Sequence, residues 1–583
     1  MQGTGYLKRP MASGLACLLC FGGAVAADAL AGENLDRGVI ALRTADGHVY
    51  IGWRLLADDP PGVGFHVDRR LADGEEPLRL TGQPVTGSTN FVDTQTAADA
   101  RPSYSIRAVT ADGEGPASPW IAAVDAPAGG SYLSIRLRGE DGIQMVALGD
   151  LTGDGRLEYV VKRPDVSIDP WQREGVWRPS PGTYRLEAYR HDGTFLWSYD
   201  MGWAIEQGIW YAPYVVYDLD GDGKAEVYAK AGQGDPRNED GRVESGPEWC
   251  VRIDGLTGQV TGKVPWPDRT GYRDYNWASR NMLGIAYLDG RHPSLIIQRG
   301  NYRQIKVHAY DGRLEQLWSW NSRQEKGARY CGTGAHGMRA ADVTGDGRDE
   351  ILLGASAIKY DGHGLWTNPL HNPHQTHPDI FHVGDLDPSR PGLEIFLGLE
   401  TPQPRDGVCM LDARTGEILW SYEDGPTRHV HAMGMAGDIL AEYPGQECYA
   451  GEQDGSQYWL YTACGKRIGN ESLGSLAPVP LWWNADPQKE IIVGNKLKKY
   501  GGPTFLELAG GVRGTADCLG DWREEILVGL PGELRIYTTT IPASDRRVCL
   551  LQDHLYRMGV VHFSTGYYYA PQWGGRVGTQ EPH

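Results

Sequence analysis

The chain reads as short apolar stretches divided by polar, glycine- and proline-rich turns, without the three-and-four spacing of long amphipathic helices. Val39-Ile40-Ala41-Leu42 and Val49-Tyr50-Ile51-Gly52-Trp53 flank a turn at Asp46-Gly47 and predict a pair of strands. Gly64-Phe65-His66-Val67, Asn90-Phe91-Val92-Asp93 and Tyr104-Ser105-Ile106-Arg107-Ala108-Val109 predict three more. Strands of this kind from Arg37 to Val124, with Trp53 and a late Tyr104, predict a fibronectin-III or immunoglobulin-like β-sandwich in which both aromatics are core rather than sugar platforms. Asp125 to Gly130 is an Ala/Pro/Gly linker, so the sandwich is assigned to 27–128 and a second domain to 129–583.

Beyond the linker the pattern becomes periodic. Asp218-Leu219-Asp220-Gly221-Asp222-Gly223-Lys224-Ala225-Glu226 runs directly into the apolar strand Val227-Tyr228-Ala229. The same outline returns at Asp150–Glu158 and Asp342–Glu350, and at Asp517–Glu525 with some acids replaced. Looser copies begin at Ala286, Asp385 (with Asp387 and Glu394) and Asp438 (with Glu447), and one keeps only Asp486 and Glu490. Between copies lie hairpin signals such as His191-Asp192-Gly193 before Leu196-Trp197, and Arg414-Thr415-Gly416 before Leu419-Trp420. A repeated cycle of acidic loop, buried strand and hairpin is one propeller blade, so eight copies predict an all-β chain with an eight-bladed β-propeller. The insertions 163–181 and 232–247 are expected on one face, where they shape a site.

Composition agrees and narrows the function. The 583 residues include 79 Gly and 36 Pro, which suits many turns and a chain too long for one core. A formal net charge of −19 argues against nucleic acid, whose phosphates need a basic surface, but admits an anionic polysaccharide if bound cations reverse the charge locally. Lys8-Arg9, the apolar run Met11–Phe21 and Ala24-Val25-Ala26 predict a signal peptide, 1–26, and hence a secreted or periplasmic protein. No later stretch is long and apolar enough to span a membrane. Seven cysteines follow the signal segment; their odd number is not a disulfide framework, although Cys448 with Cys464 is one open pairing. A monomer is expected.

Oxygen-only ligands at the density of the acidic runs suit Ca²⁺. The expected side-chain ligands are Asp150, Asp154, Glu158, Asp218, Asp220, Asp222, Glu226, Asp342, Asp346, Glu350, Asp385, Asp387 and Glu394, at several structural sites. Histidines gather elsewhere: His371, His374, His377 and His382 around Asp379, with His336 before one acidic loop and His429 and His431 before another. Such a group holds a cation or acts as general acid and base near neutral pH. Arg428 is a candidate partner for a substrate carboxylate. Loop aromatics, Trp210 and Tyr211 among them with Trp203, Trp277, Trp482 and Trp483, are candidates to stack on sugar rings.

Several stretches resemble the propeller rhamnogalacturonan lyases of polysaccharide lyase family 11: Trp53-Arg54-Leu55-Leu56, Tyr217–Val227, His382–Glu394, Leu519–Glu525 and Leu534–Pro542, in the family's order. The resemblance implies an N-terminal β-sandwich, an eight-bladed propeller, bound Ca²⁺ and β-elimination at galacturonate in rhamnogalacturonan I. It also implies that His336 and His377, with Asp379, lie beside a site calcium. Two positions depart from the family pattern. Met433 replaces a basic residue before Gly434-Met435-Ala436, and Gly510–Thr515 is a shortened form of a substrate loop. Arg428, His429 and His431 are therefore the candidate catalytic residues, and Arg513 and Arg523 candidate substrate ligands. The expected activity is calcium-assisted cleavage of a rhamnose/uronate polymer. The alternatives are a lyase for a bacterial rhamnose/glucuronate exopolysaccharide, a non-catalytic carbohydrate-binding propeller, and an adhesion propeller with integrin-like calcium loops.

Overall fold

The apolar stretches form strands and little else forms. The computed structural model describes Met1 and residues 33–97, 99–127, 131–368 and 376–575, and these are nearly all β. The expected signal segment, part of the linker, and His371 and His374 lie outside the described residues.

From Met145 to Tyr537 eight four-stranded antiparallel sheets follow one another. Seven are simple meanders, such as Met145–Gly149, Glu158–Arg163, Arg185–Tyr189 and Phe195–Asp200. In every sheet the acidic run, intact or degenerate, joins the first strand to the second, so the eight sequence copies mark eight sheets. The last sheet is built differently. Gly511–Ala516, Glu525–Leu530 and Glu533–Tyr537 are completed by Tyr132–Arg136, the strand just after the linker, with Tyr132 opposite Tyr537 and Ile135 opposite Leu534.

Each pair of consecutive sheets encloses its own apolar core. Ala147 and Val160 meet Val216 and Val227 between the first two sheets. Val146 and Leu148 of the first sheet meet Leu527 and Ile536 of the eighth. Indoles fasten the outer edges: Trp197, Trp318, Trp366 and Trp420 each donate Nε1–H to a carbonyl in the hairpin of the following sheet. Each ring lies over a glycine of that hairpin, Gly258, Gly362, Gly416 or Gly465, all with positive φ.

The helix His554–Val561 packs against the first strands of the first four sheets and the eighth. It is apolar almost all round, with Leu555, Tyr556, Met558, Val560 and Val561 buried, as a helix enclosed on every side requires. Its Arg557 is buried and pairs with Glu33.

The N-terminal residues form a four-stranded and a five-stranded sheet around a common core of Val49, Ile51, Phe65, Val67 and Ile106, which includes Trp53 and Tyr104, both fully buried as expected. This unit docks on the eighth sheet. Tyr50 donates its hydroxyl to Asp521 at 2.8 Å, and Gly520 N–H donates to the Gly38 carbonyl at 2.8 Å. The cysteine pairing left open by the sequence is not formed: Cys448 is buried among apolar side chains of the fifth and sixth sheets, Cys464 is exposed in a hairpin, and both are free thiols. No helix among the described residues is long and apolar enough to cross a membrane.

Candidate functional site

Because the sheets are meanders, each first strand runs from a front edge to a rear edge that carries the acidic loop. Asp379 is the second residue of the strand Pro378–Gly384 and Asp385 follows the strand, so six residue steps of about 3.3 Å separate front from rear by roughly 20 Å.

The rear loops hold themselves. Asp218 accepts from Gly221 N–H at 2.7 Å and Gly223 N–H at 2.8 Å, and Asp150 and Asp342 repeat this pattern. The glycines need it, with φ of 76° at Gly221 and 88° at Gly223. The closing glutamate turns back to accept a backbone N–H near the start of its own loop, as Glu158, Glu226, Glu350 and Glu394 all do. Burial first, and neighbouring carboxylates with it, push Glu226, Glu350 and Glu394 up to about 7. Oxygens of Asp218, Asp220, Asp222 and Glu226 converge within 4.8 Å of one another. Asp154 and Glu158 converge with His191 rather than with Asp150. Asp342, Asp346 and Glu350, and Asp385, Asp387 and Glu394, make no such group among the described residues.

The histidines converge at the front. His336 lies in Gly334–Ala341, first strand of the fourth sheet, where pairing slips between Gly334 and Arg339. Asp379 lies where the first strand of the fifth sheet slips between Pro378 and Ile380. Such bulges re-aim side chains out of a ladder. Glu400 follows the second strand of the fifth sheet, and its N–H donates to the His377 carbonyl at 3.0 Å. His429 and His431 sit on the connection to the sixth sheet, where Gln453 N–H donates to the His429 carbonyl at 3.0 Å and His431 N–H to the Gly451 carbonyl at 3.1 Å.

Ligand atoms of His336, His377, Asp379 and Glu400 lie within 4.8 Å of one another, and those of Asp379, His429 and His431 form a second such group. Asp379 Oδ1 is 3.3 Å from His336 Nε2 and 3.7 Å from His377 Nε2, while Oδ2 is 2.7 Å from His431 Nδ1. Glu400 lies 3.3 Å from His377 and 3.6 Å from His429. His377 Nδ1–H donates to the Gly334 carbonyl, which leaves its Nε2 lone pair facing the cluster. Burial alone would raise the Asp379 carboxyl, but His336, His377 and His431 together hold it well below the usual range. Burial first, and the neighbouring His377 imidazole, pull His336 down to about 3, while Asp379 raises His431. Both Asp379 oxygens are buried and make no aligned hydrogen bond despite these neighbours. Buried acceptors aimed at a common space are the donor set a cation needs.

Of the other candidates, Trp210 belongs here: its ring centroid is 4.5 Å from that of His336. Tyr211 is buried behind it, hydrogen-bonded to Tyr275. Arg428 turns outward to Asp454 at 3.0 Å, and Arg513 pairs with Asp165 at 2.5 Å. Arg523 is at the rear, buried between Asp521 and Tyr50. His382 is buried and its Nε2–H donates to the Met433 carbonyl at 2.8 Å, so it does not join the cluster. Sequence reasoning missed Glu400, and also Tyr302, whose ring lies 4.4 Å from His377 and whose hydroxyl is 3.4 Å from His336 Nε2. Neither belongs to a motif, and only their place on front connections could have marked them.

Comparison with known proteins completes the picture. Residues 142–581 match the model of the rhamnogalacturonan lyase family 11 C-terminal domain, and 31–124 that of the rhamnogalacturonan I lyase beta-sheet domain. The chain belongs to rhamnogalacturonan lyase family 11. The family 11 match takes in every member of the front cluster. The rhamnogalacturonan endolyase YesW of Bacillus subtilis (strain 168) is 36% identical, covering 92% of this chain and 90% of the relative. The exolyase YesX of the same organism is 34% identical, covering 94% and 95%. The crystal structure of YesW superposes with a TM-score of 0.85 at 34% identity over 95% of this chain and 98% of that one. A family 11 lyase from Bacillus licheniformis gives 0.84 at 34%, covering 95% and 99%. The family 11 chain is therefore an enzyme, a polysaccharide lyase acting on rhamnogalacturonan.

Proposed function

We propose that this lyase is an exported monomer that cleaves the rhamnogalacturonan I type of backbone at uronate residues by calcium-assisted β-elimination. The observation that carries this is the convergence of His336, His377, Asp379 and Glu400 on one buried space, with His431 against the remaining Asp379 oxygen. We divide the chain into a signal peptide 1–26, a β-sandwich 27–128 and an eight-bladed propeller 129–583. Seven successive meanders, an eighth sheet completed by the strand Tyr132–Arg136 paired with Glu533–Tyr537, and a core at each junction support the propeller. The charged, apolar and small-residue segments at Lys8–Ala26 support export.

Elimination removes the proton from C5 of the uronate. Its electron pair becomes the C4–C5 double bond as the C4–O4 bond breaks, and O4 leaves with a proton from water. Bound in the cluster, a divalent cation would neutralise the uronate carboxylate and so stabilise charge building at C5, an effect worth several kcal/mol. His336, His377, Asp379 and Glu400 would hold that ion, and the rear loop of Asp218, Asp220, Asp222 and Glu226 would hold structural Ca²⁺ through oxygen alone. His431 is the base: its Nδ1 lies 2.7 Å from Asp379 Oδ2, whose charge favours the proton on Nδ1 and leaves Nε2 for the substrate proton. His429, between Glu400 and His431, is the second candidate for that role.

The test is formation of the ultraviolet-absorbing unsaturated uronate from rhamnogalacturonan I and from a rhamnose/glucuronate gum. With His431→Ala the turnover should fall about 10²–10⁴-fold at nearly unchanged KM. Chelation should abolish turnover and Ca²⁺ restore it, and elemental analysis of the purified protein separates Ca²⁺ from the transition ions that imidazoles favour. Full activity in His431→Ala would remove it as the base, and product from the gum alone would replace the pectic substrate.

A further inference from the structure

We infer that Arg280, locked to Asp169, is a positioning residue that fixes the two aromatic walls of the His336–His377 pair. Its side chain is 4% exposed, and Nη1 and Nη2 donate to the two Asp169 oxygens at 2.9 and 2.8 Å, while Nε donates to Asn276 at 2.9 Å. The guanidinium carbon lies 4.8 Å from the Trp210 ring centroid and 5.6 Å from that of Tyr302. Asp169 also accepts from Trp210 Nε1–H at 3.0 Å. Trp210 in turn packs on His336, and Tyr302 on His377. One planar cation thus meets a carboxylate in its plane and two rings beside it, which an ammonium cannot reproduce.

The arrangement gives the 163–181 insertion a purpose. Asp169 comes from that insertion in the first sheet, Trp210 from the connection to the second, Arg280 from the connection to the third and Tyr302 from within it. Four front connections of the first three sheets therefore close on histidines of the fourth and fifth. Stability alone does not account for the pair, because the Asp169 side chain is 37% exposed and an ion pair screened by solvent contributes little. Removing it frees Trp210 and Tyr302 to shift, and misplacement of reacting groups by about 1 Å can cost 10²-fold in rate.

The inference rests on the histidine pair serving the elimination, so His336→Ala is assayed alongside. Arg280→Ala and Arg280→Lys should both lower kcat on rhamnogalacturonan I by about 10²-fold with KM changed less than about threefold. Guanidinium ion should restore much of the rate to Arg280→Ala, and methylammonium should not. Wild-type kcat in Arg280→Lys, or a loss in Arg280→Ala that guanidinium leaves unchanged, overturns the proposal. If Arg280→Ala does not fold, Asp169→Asn decides: a kcat lowered about tenfold at constant KM supports the lock, and an unchanged kcat overturns it. A fully active His336→Ala would instead remove the reading of the site on which the proposal stands.

Discussion

Lys162 shows at the scale of one residue how the packed sheets impose chemistry that a sequence does not announce. It is fully buried in the second strand of the first sheet, its Nζ donating to the Ala212 carbonyl at 2.6 Å with no carboxylate partner among the described residues, and burial lowers it from 10.5 to about 7. Below about pH 7 both folded and unfolded chains carry the proton, and the folded state bears the full cost of enclosing a charge. Between 7 and 10.5 the unfolded chain keeps the proton while the folded chain has lost it, so stability rises with pH, by up to about 1.4 kcal/mol per unit. Lys162→Met should accordingly raise the thermal midpoint at pH 6.5 and gain much less at pH 10; an equal gain at both would show that Lys162 is not charged in the fold. The front cluster was legible to a similar partial extent. His336, His377, Asp379, His429 and His431 stand out by type and grouping, but Glu400, Arg280 and Tyr302 become neighbours only because separate sheets converge.

Among elements, the hairpins were the easiest to read and the junctions the hardest. The Asp-Gly and Thr-Gly turns announce themselves, whereas the bulges that carry His336 and Asp379 leave no pattern, since a slipped register is a property of two strands at once. The strand Tyr132–Arg136, which completes the eighth sheet, and the helix His554–Val561 were equally unmarked. Each is too short to carry periodicity, and both are fixed by partners remote in the chain. The tryptophan fastenings give the hairpins a graded prediction. Gly465 has φ of 86°, and a methyl there would lie 2.5 Å from Trp420 Cγ, whose Nε1–H donates to the Ala463 carbonyl at 2.7 Å. Gly501, in the hairpin of the seventh sheet, has φ of 64° with nothing within 4 Å of such a methyl. Gly501→Ala should cost only the left-handed strain of about 1–2 kcal/mol. Gly465→Ala should add about 1–3 kcal/mol of overpacking as the indole is displaced. Denaturant unfolding of the two variants measures the difference, and equal losses would mean that the indole contributes no fastening.

For the whole molecule the question is whether the N-terminal sheets and the eight four-stranded sheets unfold as one. Their junction is polar and buried rather than a sliding surface. Arg523, 1% exposed, donates to Asp521 Oδ2 at 2.7 Å and to the Tyr50 hydroxyl at 2.9 Å, and Asn90 donates to the Ala543 carbonyl at 3.1 Å. Arg54 reaches the Cys518 carbonyl, and Cys549 N–H donates to the Leu55 carbonyl at 2.8 Å. Such contacts couple the two parts, so calorimetry of the wild-type protein should give a single transition. Arg523→Ala would leave Asp521 buried without its guanidinium, at a cost of about 3–5 kcal/mol, and should lower the midpoint or split the transition in two. Turnover below the first transition should stay at the wild-type value, because Arg523 lies on the rear loops while the histidines face the front. A raised KM in a variant that still melts as one unit would instead return Arg523 to the substrate-binding role that its motif suggested, and would require the polysaccharide to reach the rear loops.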